Sequence, residues 1–247
     1  MEHSGGARYS TSIRGKIMTM SLQTDPRWPK ILSLSVHEFR TPMTVVAGYI
    51  RMLLKDKAGA LTDKQRRLLE EAEKSCGRLT ALLAEVSELS GLEAGTVTFN
   101  KQSTDLNTVL QTAIAHLPAL PDREVRVDLE TLAGHAPLTA DPVKLAQALG
   151  AVIAALRREL VTSDRLIVRP RRAAADGRGY EVLVGGEAGV AALEAEPPGS
   201  GATFDEWRGG VGLSLINARR ILNEHGGSVY APAEDGKAGA RILLPGS

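Results

Sequence analysis

The residues with the clearest chemical potential stand in one short run, Ser35-Val36-His37-Glu38-Phe39-Arg40-Thr41-Pro42. His37 places an imidazole beside the carboxylate of Glu38, and Thr41 carries a hydroxyl one helical turn later, on the same helix face. Such a set can support proton transfer and nucleophilic attack. Pro42 has no N–H to donate to the carbonyl of Glu38, so the helix that carries the run must tolerate this gap. The run marks a candidate site for group transfer on a helix surface.

Two long amphipathic helices are predicted to position this site. Apolar residues recur at alternating spacings of four and three over residues 32–53, which predicts a first helix with His37 off its buried stripe. Thr62 and Gln65 form a capping-box pair that opens a second helix, and we expect Gly91 to end it. The result is a helical hairpin. Pairing two copies through residues 25–92 in a homodimeric four-helix bundle would bury its apolar seams.

The composition limits the class of protein. The chain has 247 residues with 30 Lys+Arg, 29 Asp+Glu and a net charge of +1, which disfavours nucleic acid as a partner. The length indicates one large or two small domains, at about 100–200 residues each. No apolar run approaches the roughly 20 residues that cross a bilayer, so we expect no membrane span.

The cysteine and histidine content points to a reducing compartment and away from metal chemistry. One Cys is present, so an internal disulfide is excluded and a cytoplasmic location is expected. His116 and His135 have no Cys or carboxylate partners at ligand spacing, so no dedicated metal site is predicted.

The pattern changes after residue 92. Residues 1–24 show no period and predict a flexible leader. Helical patterns occur at residues 105–117, 142–160 and 211–225. Strand patterns occur at residues 96–100, 124–129, 166–171, 180–184, 228–231 and 240–244. This mixture, without strict β-α-β alternation, predicts a second domain of α+β class over residues 96–247. The stretch 185–210 is rich in Gly, Ala and Pro and predicts a glycine turn followed by a mobile loop.

The run from His37 to Pro42 resembles the H-box of sensor histidine kinases, and it lies on the first helix of a hairpin, as in that family's dimerisation and phosphoacceptor domain. The resemblance implies that His37 is the phosphorylated imidazole and that Glu38 accepts the proton that makes it nucleophilic. Thr41 would position the water that dephosphorylates a partner response regulator. Arg40 and Pro42 complete the motif as supporting residues.

Residues 96–247 resemble the GHKL-type ATP-binding domain, an α/β sandwich that follows the hairpin in that family. The likeness rests on the segments Asp141–Leu149, Gly210–Leu215 and Glu224–Gly227. The whole chain would then be a multi-domain protein of α and α+β class. The resemblance implies ATP and Mg²⁺ as cofactors, with nucleotide-binding positions at Arg158, Gly189, Gly210, Gly212 and Leu213.

Several positions of this second domain depart from the family pattern. Ala151 and Ala155 stand where the family has two Asn that face the nucleotide, and a methyl group cannot ligate Mg²⁺. Gly185 stands where an Asp bonds the adenine amine, and Glu187 adds negative charge where a triphosphate would approach. We therefore predict a degenerate nucleotide site. Trp207 resembles the aromatic residue that anchors the family's ATP lid.

Three functions remain open at this point. The favoured hypothesis is that His37 exchanges a phosphoryl group with an Asp of a response regulator, or helps to remove it, with little autophosphorylation of its own. The first alternative is an active autokinase that uses ATP and Mg²⁺, and the second is a non-catalytic dimeric scaffold. The expected partners are a receiver domain, a second copy of the chain, and an upstream sensor or kinase on another chain.

Overall fold

The computed structural model describes residues 27–120, 123–161, 163–173, 179–197, 201–233 and 238–246, and the predicted leader at residues 1–24 lies outside them. The helices are α1 (Trp28–Leu54), α2 (Asp63–Glu93), α3 (Leu106–Ala115), α4 (Pro142–Glu159), α5 (Glu187–Ala195) and α6 (Ser214–Glu224), with a 3-10 turn at Arg208–Gly210. The strands are β1 (Gln102–Asp105), β2 (Arg126–Leu129), β3 (Pro137–Ala140), β4 (Arg165–Arg172), β5 (Gly179–Gly185), β6 (Ala202–Thr203), β7 (Ser228–Ala231) and β8 (Gly239–Pro245). Across these ranges, no helix combines the length and apolar character that a bilayer crossing requires.

Helices α1 and α2 form the predicted hairpin, and its turn is fastened by polar contacts. The capping box is confirmed: Gln65 N–H donates to Thr62 Oγ1 at 3.3 Å, and Thr62 N–H donates to Gln65 Oε1 at 2.9 Å. Arg66 then donates to both carboxylate oxygens of Asp56 at 2.9 Å. This bidentate ion pair joins the start of α2 to the end of α1 and sets the helix register.

The chain leaves the hairpin later than the sequence pattern indicates. Helix α2 continues through Gly91, so the prediction that Gly91 ends it is wrong, and the chain turns at Gly95 with φ +64°. A Cβ on Gly91 would lie 3.0 Å from Val97 Cγ2, so this glycine lets the chain pass close to the helix. The strand predicted at residues 96–100 is also wrong, because that segment is extended without ladder pairing and β1 begins at Gln102.

The second unit is built on a mixed sheet, which confirms the predicted α+β class. In the described residues its strand order is β2-β4-β5-β8-β7-β6, with β2 and β4 parallel and the other pairs antiparallel. Strands β1 and β3 form a separate antiparallel ribbon. Helix α4 packs centrally, against α3, α6 and strands of the sheet. The core on this face includes Leu145, Leu149, Ile153, Val182 and Ile242, all fully buried.

Helix α5 covers part of a second apolar cluster, where the sequence predicted a mobile loop over residues 185–210. Its Val190 and Leu193 pack with Ile167 and Leu183 in a buried cluster separate from the main core. That loop prediction is wrong over 187–195, because an Ala-rich stretch with apolar residues three apart has both the propensity and the stripe for a helix. The sheet is therefore apolar on both sides at β5.

Candidate functional site

The candidate group-transfer residues lie together on an exposed face of α1. The side chain of His37 is 75% exposed, and Glu38, Arg40, Thr41 and Pro42 are exposed as well. The neighbouring Val36 is only 3% exposed. The imidazole thus lies beside the buried stripe of the helix, as the periodicity predicts, and a partner protein can reach it from solvent.

The geometry around the imidazole favours one tautomer. Glu38 Oε1 lies 3.6 Å from His37 Nδ1, which is an ion-pair distance and longer than a hydrogen bond. A carboxylate on this side favours a proton on Nδ1 and leaves the lone pair of Nε2 available for attack on phosphorus. Thr41 presents a hydroxyl one turn along the same face. The set can perform nucleophilic transfer and can position a water molecule.

Much of the predicted apolar stripe of the hairpin is uncovered in the single chain. In α1 the buried residues are Val36 and Ile50. Residues that are 45–63% exposed include Phe39, Val46, Leu68, Leu79 and Leu82. Large apolar side chains exposed along two adjacent helices are typical of a protein–protein interface. The hairpin therefore retains a surface suited to a second pair of helices.

The predicted nucleotide residues gather around a groove between α2, α4 and α6. The groove has a volume of about 1240 Å³, and its lining includes Ala151, Arg158, Gly210 and Gly212. Gly189 is not among the lining residues, since it packs in α5 against the carbonyl of Ala238. The structure thus brings together four of the positions named from the sequence. The lining is mainly apolar.

The inner end of this site is filled by the chain itself. Ala155 is 0% exposed, and Gly209 lies so close that a Cβ built on it would be 2.7 Å from the Ala155 Cα. Phe204, 3% exposed, lies beneath the guanidinium of Arg208 at 5.2 Å. Arg208 Nε also donates to both carboxylate oxygens of Glu159 at 2.9 Å. This ion pair and the close packing hold the segment before α6 against α4.

Phe204 and Arg208 pack at this site and were not identified from the sequence. Trp207, which resembles the aromatic anchor of an ATP lid, is 76% exposed. The buried aromatic residue of this segment is Phe204. Arg158, predicted as a nucleotide-binding position, donates to the carbonyl of Gly210 at 2.8 Å. Phe204 and Arg208 follow no helix or strand period, so the pattern carries no signal for them.

The charged groups around the groove are of both signs. Glu85 and Glu88 of α2 contribute two carboxylates to its lining, and Arg78 and Arg158 contribute two guanidinium groups. Ala155 and Gly185 are buried without oxygen-bearing side chains. Glu187, expected to oppose the triphosphate, is exposed in the first turn of α5, where a negative charge favours the helix dipole. Positions 151, 155 and 185 therefore supply no side-chain oxygen that could ligate Mg²⁺ or bond adenine. In the described part of the chain, no group of three His, Cys, Asp or Glu could hold a metal ion.

Comparisons with known proteins bear on the family. Residues 31–95 match the family described as His Kinase A (phospho-acceptor) domain. Sensor protein VanSC of Enterococcus gallinarum is 27% identical over 238 residues, which cover 90% of this chain and 62% of that protein. The histidine-protein kinase BarA of Escherichia coli K12 is 25% identical over 203 residues, which cover 78% of this chain and 22% of BarA. The chain is therefore similar to sensor histidine kinases, and residues 31–95 match a His Kinase A phospho-acceptor domain. The resemblance that the H-box run indicates is thereby confirmed.

The fold is also similar to that of a solved histidine kinase structure. The structure of full-length ShkA in complex with AMPPNP has a TM-score of 0.61 and 20% identity, and the match covers 89% of this chain and 46% of ShkA. The shared fold thus extends beyond the hairpin into the sheet-bearing unit, consistent with the architecture expected of the family. This chain spans less than two thirds of the length of VanSC or of BarA.

Proposed function

We propose that His37 accepts a phosphoryl group from an Asp of a response regulator, and that the chain does so without binding ATP itself. The observation that carries the proposal is the packing of Gly209 on Ala155 at the place expected for a magnesium ligand. The exposed His37 beside Glu38 retains the acceptor chemistry. The protein would act in two-component signal transduction as a pseudokinase, serving as a cytoplasmic phosphotransfer protein or a response-regulator phosphatase.

The proposed transfer needs only the His37 side chain and the phosphorylated Asp of the receiver domain. His37 Nε2 attacks phosphorus, an N–P bond forms, and the bond to the aspartyl oxygen breaks to release a carboxylate. The ring then carries positive charge because Nδ1 keeps its proton, and the carboxylate of Glu38 stabilises that charge. Reversal returns the phosphoryl group to a receiver. In the phosphatase reaction, the Thr41 hydroxyl would position a water for attack on the aspartyl phosphate.

A second copy of the chain completes the proposed assembly. Exposed apolar residues along both hairpin helices supply the surface, as Phe39 and Leu79 exemplify. Pairing residues 25–92 of two chains in a four-helix bundle removes this surface from water, which is the main driving force for association. The assembly would present two His37 side chains to receiver domains. An upstream sensor or kinase would supply the phosphoryl group to the pathway.

The alternative of an ATP- and Mg²⁺-dependent autokinase has one observation in its favour. ShkA, whose fold this chain shares, was solved in complex with AMPPNP. Autophosphorylation would require the segment around Gly209 to leave α4 and a metal ligand other than Ala151 or Ala155. A non-catalytic dimeric scaffold, the remaining alternative, would require neither His37 nor nucleotide.

The test is phosphoryl exchange with a receiver domain labelled on its Asp. We expect the wild-type protein to take up label or to accelerate its release. His37→Gln should lower the rate of label uptake by about 10²-fold or more, because the nucleophile is lost. His135→Gln, at an exposed histidine of the second unit, is the matched control and should behave as wild type. Absence of exchange in both the wild type and His37→Gln would favour the scaffold.

A further inference from the structure

A carboxylate of the hairpin lies in the second glycine box. Glu85 of α2 accepts hydrogen bonds from Leu213 N–H at 3.1 Å and from the Ser214 hydroxyl at 2.5 Å. A Cβ on Gly212 would lie 3.1 Å from Glu85 Oε2, so the absence of a side chain permits this approach. Asn217 of α6 also donates to the backbone carbonyl of Glu85 at 3.0 Å. The start of α6 is thus bound to α2 at three points.

Two further carboxylates of α2 extend the contact. Glu88 accepts hydrogen bonds from Lys144 Nζ at 2.5 Å and from Gln147 Nε2 at 2.6 Å, both on α4. Glu93 forms an ion pair with Arg220 of α6 at 2.7 Å. The carboxylate of Glu88 is largely shielded from solvent, which strengthens its pairing relative to an exposed ion pair. The hairpin is therefore joined to both helices that border the groove.

The start of α6 is a place where an anion is needed. The first N–H groups of a helix have no partner within the helix, and the dipole is positive there. Leu213, the residue that precedes α6, makes no side-chain capping hydrogen bond. Glu85 supplies the missing acceptor and a negative charge from the other unit. Phosphate groups bind to helix starts through the same two properties.

The contact between Glu85 and the start of α6 lies near His37 along the axis of the hairpin. The Ser90 hydroxyl donates to the carbonyl of Pro29 at 2.6 Å, which places these two residues opposite each other in the hairpin. Glu85 is five residues from Ser90 and His37 is eight from Pro29, so their levels differ by about 4.5 Å at 1.5 Å per residue. The second unit is thus fastened within about one helical turn of the level of His37.

We propose that Glu85 is the built-in anion of the second glycine box, and that it locks the hairpin to the second unit in place of a phosphate. An anionic ligand can reach the Leu213 N–H only when the carboxylate leaves. The lock occupies the Leu213 N–H and holds the start of α6 against α2. The proposal does not depend on phosphoryl exchange by His37.

The test is amide hydrogen exchange at Leu213 in the full chain. Glu85→Ala should accelerate exchange there by about tenfold or more, because a charge-assisted hydrogen bond and the cap are lost. Glu85→Gln keeps an acceptor without the charge and should give an intermediate rate, which also serves if the Ala variant does not fold. Glu73→Ala, at an exposed position of the same helix, should match wild type.

A second experiment measures the same amide exchange in the presence of inorganic phosphate. Millimolar phosphate should slow exchange at Leu213 in Glu85→Ala and should leave wild type unchanged. Wild-type exchange rates in Glu85→Ala would overturn the proposal, as would a phosphate effect in wild type or none in the variant. Neither readout uses His37 or a receiver domain, so failure here is distinct from failure of the proposed function.

Discussion

The surface around His37 and the site between α4 and α6 belong to one chain but have opposite character. The imidazole is open to solvent beside a carboxylate, whereas Ala155 is fully buried beneath Gly209. A residue that exchanges a group with another protein must be exposed. A nucleotide site needs a cavity with oxygen ligands for its metal. His37 meets the first requirement, and positions 151 and 155 supply no such oxygen, which is the difference on which the proposed function rests.

Glu38→Gln tests the exposed surface around His37 and should have the largest effect, which is on the rate of phosphoryl exchange. Gln carries no negative charge to balance the positive charge of the phosphorylated ring, so phosphoryl exchange should slow by about 10²-fold. The rate is measured with a phosphorylated receiver under single-turnover conditions. Glu73→Gln is the control, because it changes the charge on an exposed position of α2. An unchanged rate would show that Glu38 has no part in the transfer.

Ala155→Asn tests the close packing between Gly209 and Ala155. The larger polar side chain has no space beside Gly209, so the free energy of unfolding should fall by about 3 kcal/mol from overpacking and an unpaired amide. Ala151→Asn, at a partly buried position that lines the groove, should lower it by less than about 1 kcal/mol. Urea denaturation measures both.

Neither Asn variant should gain stability from ATP with Mg²⁺ in a thermal shift assay, because the space beside Ala155 stays filled. Equal stability of the two variants would contradict the close packing at Ala155. A nucleotide-dependent shift in either would show that the site opens.

Gly209→Ala and Gly210→Ala isolate the contact that closes the site. Both glycines have positive φ, +70° and +57°, so each substitution should lower stability by about 1 kcal/mol through backbone strain. Only at Gly209 does the new Cβ meet Ala155, which should lower stability by about 1–2 kcal/mol more. Paired urea titrations give the difference. Equal effects would mean that the segment can move away from α4 at little cost.

Acid should weaken the second unit through Asp141, with the smallest effect. Burial alone would raise the pKa of this carboxyl, but N–H bonds from Lys144, Asn100 and Val143 together lower it. Because the folded pKa lies below the unfolded value, this contribution is present above about pH 4 and is lost as pH falls through the folded pKa.

Asp141→Ala should lower the free energy of unfolding by about 1 kcal/mol at pH 7, because the cap of α4 is lost, and by less at pH 3. Asp141→Asn keeps a capping oxygen and should lack the acid-dependent part. A pH-independent effect of the Ala substitution would contradict this account. Urea denaturation at the two pH values supplies the comparison.

The parts of the structure that were predictable are those encoded by neighbouring residues. The hairpin follows from a local apolar period, its second helix from the Thr62–Gln65 pair, and the acceptor face from one contiguous run that contains His37. Each depends on residues within a few helical turns, so the sequence carries the signal directly.

The parts that were missed depend on distant contacts. The filled nucleotide site needs Gly209 against Ala155 and Arg208 against Glu159, pairs about 50 residues apart whose meeting no periodicity encodes. The lock at Glu85 joins α2 to residues 213 and 214, which only the assembled units bring together. Helix α5 was not predicted, because the Gly and Pro residues that flank it are typical of loops.

The central claim is that the chain keeps a phosphoacceptor but cannot charge it from ATP. The most direct test gives one preparation two donors in parallel, γ-labelled ATP with Mg²⁺ and a labelled phosphorylated receiver domain, and follows label on His37. The account predicts that the receiver exchanges label with His37 while ATP leaves it unlabelled. Labelling by ATP that disappears in His37→Gln would contradict the account.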